Sequence, residues 1–243
     1  MKWGFFTPTH ILTLVMGAVI LAALYLVLKN KSAKFQTALL FPLSCSGLVA
    51  IVYNLAAWGS PLEYLPLHLC SLNALVLPVA VLTRNKTLGN LLLVWCLGAF
   101  VALVANFNMV ETEVFGEVFN MYYFPHLFEF GIPLLLFKLR LVEKDETCIG
   151  TTIGITMFIY TLVHLCNVAI NNWCISVGSD IRVNYMYSLA PDNPLTALFY
   201  RLIPHYYWHM YLIIPIVAVY LAIVYAPQLS RRYRVSRWGH RTV

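Results

Sequence analysis

The chain has 243 residues, of which 60% are hydrophobic and 11% are charged, and its formal net charge is +6. This balance excludes an ordinary soluble domain and is typical of a protein that crosses a membrane several times. The sequence has no basic stripe with interleaved aromatic residues, so nucleic acid is not an expected partner. We predict one all-α domain that covers residues 1–243.

Seven apolar segments each approach the roughly 20 residues that a membrane-spanning helix needs. They are residues 9–28, 37–58, 65–83, 88–106, 124–141, 149–170 and 206–226. The first segment is not predicted to be a cleaved signal peptide, because no small-residue cleavage site follows it before the second segment. The sequence therefore predicts a polytopic bundle of about seven transmembrane helices.

Charged residues divide the connecting segments into two groups. Lysine and arginine are concentrated after the first, third and seventh segments, whereas the opposite loops carry Glu63, Glu111, Glu113 and Glu117. Positive charge favours the cytoplasmic side of a membrane. We therefore expect the N-terminus outside and the C-terminus in the cytoplasm of a bacterial plasma membrane.

This orientation predicts a labelling pattern in intact cells. A cysteine introduced at Thr112 should react with a membrane-impermeant maleimide, whereas one at Ser236 should react only after lysis. The unsubstituted protein gives the background labelling of its own six cysteines. Labelling of position 236 but not of position 112 in intact cells would reverse the orientation.

The third segment begins with the motif LPLHLCSLN, residues 65–73, which brings Cys70 about 7 Å into the segment. Polar groups at membrane depth are costly, and they are therefore functional candidates. On a helix Cys70 shares a face with Asn73, whereas His68 shares one with Ser71. A base for a Cys70 nucleophile is thus expected on another helix. The alternatives are Ser71 as the nucleophile, or a Cys70 that only packs.

The fifth segment carries the best candidate base, His126, in the motif YYFPHLFEFGIP, residues 122–133. Pro125 is expected in the first helical turn, which brings His126 about 3 Å into the segment. Glu129 lies on the same helix face, and Pro133 provides no N–H for the Glu129 carbonyl. A histidine beside a carboxylate is suited to general-base catalysis. The alternative is a structural His–Glu hydrogen bond that ties helices together.

The longest loop, residues 171–205, carries further polar candidates. We expect it to contain an extended segment, a turn and an interfacial or re-entrant helix at 195–203. Amide and imidazole donors at His68, Asn73 and Asn184 are candidates to stabilise an oxyanion, although amides also bridge membrane helices. His205 and His209 have a metal-ligand spacing, so a zinc hydrolase is the main rival chemistry. His164, Asn167 and Asn171 form a second polar stripe.

Together, LPLHLC, FPHLFEFGIP and NYMY, the last at residues 184–187, resemble motifs of the YwaF-like family of integral membrane proteins. That family includes the transmembrane protein 164 ether-phospholipid acyltransferase, and the resemblance covers roughly residues 65–227. It implies a coenzyme A-independent transacylase whose Cys70 takes an acyl chain from a phospholipid and passes it to a lysophospholipid. It also implies a distant likeness to intramembrane hydrolases that use a threonine and a histidine, with Cys70 and His126 in those two roles.

The prediction is therefore a membrane-embedded lipid acyltransferase whose site opens to the outer leaflet. Its catalytic residues are Cys70, His126 and the orienting Glu129. Its substrate-binding or oxyanion residues are His68, Asn73, Asn184 and Tyr187. Phospholipid and lysophospholipid are the expected partners, and no metal or other cofactor is expected. The alternatives are a lipid ester hydrolase with the same site, and a lipid or small-molecule transporter or receptor.

Overall fold

The computed structural model describes residues 1–58, 60–105 and 109–239, and these form nine α-helices without a β-strand. The helices are α1 (Pro8–Leu28), α2 (Ala33–Ser44), α3 (Ser46–Ala57), α4 (Leu69–Thr83), α5 (Lys86–Ala105), α6 (Glu117–Lys138), α7 (Cys148–Ser176), α8 (Pro194–Leu202) and α9 (Ile213–Gly239). Short 3₁₀ turns occur at Pro61–Glu63, Tyr185–Tyr187 and Trp208–Leu212. The all-α prediction is confirmed.

Five stretches of the described chain are long and apolar enough to cross a membrane. They are Pro8–Leu28, Ala33–Ala57, Lys86–Ala105, Cys148–Ser176 and Trp208–Gln228. The second comprises α2 and α3, which meet at Cys45, three residues after Pro42 interrupts the backbone hydrogen bonds of α2. The polytopic bundle is thus confirmed. The predicted total of seven spans is reached only if the 15-residue α4 and the 22-residue α6 also cross the membrane.

Both helices with the candidate reactive residues begin at positions that differ from the prediction. α4 starts at Leu69 and not at residue 65, because Pro66 disfavours helical geometry at Leu65, and the Leu67 N–H then donates to the Leu65 carbonyl at 2.7 Å in a tight turn before the helix. α6 starts at Glu117 and not at residue 124, so Pro125 lies inside the helix. His126 is therefore its tenth residue, about 14 Å from its start, and the predicted first-turn position is wrong.

Packing of the N-terminal segment explains the additional turns of α6. Trp3 is fully buried, and its ring meets Phe119 and Tyr123 at centroid distances of 5.0 and 6.0 Å. The backbone N–H of Trp3 donates to the backbone carbonyl of Thr112 at 2.9 Å. The N-terminus and the acidic loop before α6 therefore lie at the same end of the bundle, as the topology requires. Which side of the membrane this end faces stays a prediction.

Helix α5 forms the centre of the bundle. More than half of its apolar stretch is buried, 56% against 22% or less for the other four candidate spans. It packs against α4, α6 and α7, and α4 also packs directly against α6. A helix that is apolar on all sides is suited to such a central position. α5 thus holds α4 and α6, which carry Cys70 and His126, side by side.

The short helix expected at 195–203 is present as α8, one residue earlier at each end. Asn193 and Thr196 form a capping box, and Pro194 occupies the first helical position, where no N–H is required. Leu198 and Leu202 are exposed on one side, whereas Phe199 is buried. This amphipathic arrangement is typical of a helix that lies in a membrane interface.

Candidate functional site

One buried hydrogen bond joins α4 to α6. The Asn73 Nδ2 atom donates to the backbone carbonyl of Glu129 at 3.1 Å, and the Asn73 side chain is fully buried. Pro133, four residues after Glu129, has no N–H to occupy this carbonyl. The sequence-based expectation that the carbonyl is available to another partner is confirmed. Asn73 therefore connects helices, and its amide donor is engaged away from an oxyanion.

The face of α6 that carries His126 packs against α4, the helix that carries Cys70. Glu129 and Tyr122 of α6 are close enough to Cys70 for their charges to act on its thiol. These two residues lie three positions after and four positions before His126, so all three share one helix face. On α4, Cys70 likewise shares its face with Asn73, which contacts Glu129. The fold therefore brings the thiol and the imidazole to the same helix–helix interface.

A backbone carbonyl fixes the orientation of His126. Its Nδ1 lies 2.7 Å from the carbonyl of Tyr122, and the Tyr122 ring packs against the imidazole at a centroid distance of 4.2 Å. Because a carbonyl only accepts, Nδ1 must carry a proton, which leaves the lone pair of the neutral ring on Nε2. This tautomer is the one that a general base at Nε2 needs. The group that orients the ring at Nδ1 is thus the Tyr122 carbonyl. The helical spacing of His126 and Glu129 had instead suggested Glu129 for this role.

His68 has the opposite arrangement. It immediately precedes α4, and its Nδ1 accepts the backbone N–H of Met186 at 3.4 Å. The neutral ring therefore carries its proton on Nε2, where it can donate. Its ring contacts Tyr185 and Tyr187 at centroid distances of 5.3 and 5.7 Å. In the neutral form, His126 thus has a free acceptor at Nε2, whereas His68 has a donor at Nε2.

Tyr187 belongs to the loop between α7 and α8, and its ring lies beside the ring of His68. Burial raises the pKa of its phenol to about 12, and negative charge at Cys70 and Asp192 acts in the same direction. The hydroxyl therefore keeps its proton at physiological pH. Tyr187 is close enough to Cys70 for the charge of either group to act on the other, and its role in substrate binding stays a prediction.

The other polar candidates lie in different arrangements. The Asn184 amide holds its own loop, because Nδ2 donates to the Ala190 carbonyl at 2.9 Å and Oδ1 accepts the Leu189 N–H at 3.0 Å. The Ser71 hydroxyl hydrogen-bonds to the Cys70 sulfur, and the described contacts include none between Ser71 and His68. These contacts do not support Asn184 as an oxyanion donor. They also do not support Ser71 as a nucleophile with His68 as its base.

The His205–His209 pair does not form a metal site in the described part of the chain. His209 is fully buried, and its Nδ1 lies 3.2 Å from the His205 backbone carbonyl, so only its Nε2 could bind a metal. The described residues include no group of three or more His, Cys, Asp or Glu side chains that could hold a metal ion. The described residues therefore do not provide the three or more ligands that the zinc hydrolase alternative would need.

The Glu129 carboxyl group is enclosed between α3 and α4. It is 4% exposed, and Oε2 has no hydrogen-bond partner among the described residues. A Cβ atom at Gly47 would lie 2.6 Å from Glu129 Oε1 and 2.5 Å from the Ala74 Cβ. Glycine at position 47 is therefore required for α3 to approach α4 and α6 this closely.

Gly47→Ala is expected to destabilise the protein by about 1–3 kcal/mol, the usual cost of overpacking a core. Gly150→Ala is the matched control, since no atom lies within 4 Å of a Cβ added there in α7. The unfolding temperature in detergent should fall for the first variant and stay level or rise for the second. Equal temperatures for both would contradict the close packing around Glu129.

Sequence reasoning missed two contributors to the site. Tyr122 precedes His126 by four residues, a spacing that would have predicted contact on a helix. Met186 contributes only its backbone N–H, which no side-chain pattern reveals.

The comparisons with known proteins agree with this architecture. Residues 5–225 match the family model described as the TMEM164 family, which bears out the resemblance of the sequence motifs. No curated protein and no solved structure matches the chain significantly. Because the match includes all of α1–α8 and most of the chain, the protein belongs to the TMEM164 family.

Proposed function

We propose that the protein is a coenzyme A-independent transacylase that moves an acyl chain from a phospholipid to a lysophospholipid through an acyl-Cys70 intermediate. The observation that supports this proposal is the packing of α4, which carries Cys70, against α6, which carries His126 in a tautomer fixed by the Tyr122 carbonyl. Family membership supports a membrane protein.

In the first half-reaction, the Cys70 sulfur attacks the ester carbonyl of a donor phospholipid while Nε2 of His126 takes the thiol proton. A carbon–sulfur bond forms, and the carbon–oxygen bond to the glycerol breaks as the tetrahedral intermediate collapses. Protonated His126 then returns the proton to the departing alkoxide. The products are an acyl-Cys70 thioester and a lysophospholipid.

In the second half-reaction, the hydroxyl of an acceptor lysophospholipid attacks the thioester. His126 takes the hydroxyl proton and then returns it to the Cys70 sulfur as the carbon–sulfur bond breaks. A new phospholipid ester and the thiol result, so no oxidant, metal or nucleotide is consumed. Attack by water instead of the lysolipid gives a fatty acid, which is the hydrolase alternative.

Two groups are suited to stabilise the oxyanion. The backbone N–H groups of Cys70 and Ser71 lie in the first turn of α4 and point to the Cys70 sulfur. First-turn N–H groups have no partner within their own helix, and the helix dipole favours negative charge there. The Nε2–H of His68 is the second donor, and one such donor contributes about 3–4 kcal/mol.

The donor lipid is proposed to reach the site from the outer leaflet. Ester carbonyls lie near the boundary between head groups and acyl chains. Cys70 lies in the first turn of α4, at the end of the bundle that carries the loop 177–193. The exposed leucines of α8 at the same end provide an apolar surface for the interface.

A reconstituted assay tests the proposal. The purified protein in nanodiscs is given a phospholipid with a labelled acyl chain and an unlabelled lysophospholipid, without coenzyme A. Labelled product phospholipid, together with a labelled acyl group on a Cys70 peptide, is the expected result. Labelled fatty acid alone would assign hydrolysis, and no turnover of either kind would leave transport or ligand binding as the function.

A further inference from the structure

Two asparagines of α7 hold the backbone of residues 183 and 185 by paired hydrogen bonds, as a neighbouring β-strand would. Asn171 accepts the Val183 N–H at 2.8 Å and donates to the Val183 carbonyl at 2.9 Å. Asn167 accepts the Tyr185 N–H at 3.0 Å and donates to the Tyr185 carbonyl at 2.8 Å. Each side-chain amide thus satisfies both backbone groups of one residue, and we call this arrangement the asparagine ladder.

The spacing of the asparagine ladder matches helix to strand. Residues four apart on a helix are separated by about 6 Å along its axis. Residues two apart on an extended chain are separated by about 6.6 Å. Asn167 and Asn171 can therefore hold Tyr185 and Val183 at once, and only one register of the segment satisfies both amides.

The asparagine ladder also fixes the turn that follows. Met186 and Tyr187 have φ angles of 52° and 56°, in the left-handed region that non-glycine residues rarely occupy. Asn167 holds both sides of this turn, since its Nδ2 also donates to the hydroxyl of buried Ser188 at 2.9 Å. Strained conformations persist only where the surroundings determine them.

That turn delivers the Met186 N–H to Nδ1 of His68. We propose that Asn167 and Asn171 are positioning residues, which act through segment 183–185 to hold His68 in the tautomer whose Nε2–H donates to the oxyanion. This inference rests on the proposed function, and it gives the polar stripe of α7 a role in the chemistry of a site on α4. Neither asparagine touches the substrate.

Substitution of Asn167 by leucine tests the inference, because it removes all three hydrogen bonds of the Asn167 side chain at similar size. The kcat for acyl transfer should fall about 10- to 100-fold, less than the roughly 10²–10³-fold loss on removing an oxyanion donor itself. KM should change little. Asn172→Leu is the matched control, since Asn172 neighbours the asparagine ladder on α7 but is exposed, and its kcat should stay unchanged.

A double-mutant cycle separates positioning of His68 from general support of the fold. If Asn167 acts through His68, then Asn167→Leu should lower kcat by no more than about twofold in a His68→Ala background. If the full 10- to 100-fold loss reappears there, the inference is wrong. Asn167→Asp, which loses only the donor, replaces Asn167→Leu in the cycle if the leucine variant does not unfold cooperatively.

The failure of the inference is distinguishable from failure of the proposed function. Loss of transfer in Cys70→Ala combined with additive effects of Asn167 and His68 would reject the positioning role alone. Full transfer in Cys70→Ala would reject the acyl-Cys mechanism, whatever the cycle gives.

Discussion

Cys70→Ala is expected to abolish acyl transfer. The proposed mechanism forms its covalent intermediate on this sulfur, and no described neighbour replaces it, because the Ser71 hydroxyl hydrogen-bonds to Cys70 and has no described contact with a histidine. Loss of a nucleophile from a coupled catalytic group can reduce kcat on the order of 10⁶-fold. Cys70→Ser should retain slight activity, since a hydroxyl keeps the position but is a weaker nucleophile.

The measurement is the rate at which a labelled acyl chain appears in product phospholipid. Cys166→Ala is the control, because Cys166 is an exposed cysteine on α7 and should tolerate the change. The unfolding temperature of Cys70→Ala should remain close to that of the parent, since the half-buried side chain loses one sulfur atom. Full transfer by Cys70→Ala would move the nucleophile to another residue.

Hydropathy predicts which parts of the chain form helices better than it predicts where they begin. Residues 65–67 are apolar like the span that follows, yet they form a tight turn around Pro66, in which the Leu67 N–H donates to the Leu65 carbonyl at 2.7 Å, and α4 starts at Leu69. The start of α6 depends on Trp3, more than a hundred residues away, which buries Phe119 and Tyr123. A local pattern contains no information about such a contact.

Side-chain spacing on a helix predicted which candidate residues share a face. Cys70 shares one with Asn73, and His126 shares one with Glu129. The sequence also predicted the available carbonyl four residues before Pro133, which Asn73 binds. The partners of the two imidazoles were not predictable, because both are backbone groups. The Met186 N–H reaches His68 only after the loop has folded onto α7.

His126→Ala and Glu129→Gln are expected to differ widely in effect. Removal of the imidazole deletes the proposed base, and general-base catalysis contributes about 10²–10⁴-fold to a rate. Glu129→Gln preserves the size of the side chain and the backbone carbonyl that Asn73 binds. Because Tyr122 and not Glu129 orients His126, the glutamine variant should stay within about tenfold of the parent rate.

The comparison requires kcat for both variants and for His205→Ala, which removes an exposed histidine outside the proposed site. His126→Ala should fold normally and lose transfer, whereas His205→Ala should keep it. An electrophilic lipid probe gives a second readout for Glu129→Gln. The substitution leaves the hydrogen bond between His126 Nδ1 and the Tyr122 carbonyl in place, so acylation of Cys70 by the probe should continue near the parent rate. If Glu129→Gln is instead as inactive as His126→Ala and also resists the probe, then the carboxylate itself is the base, and His126 has the supporting role.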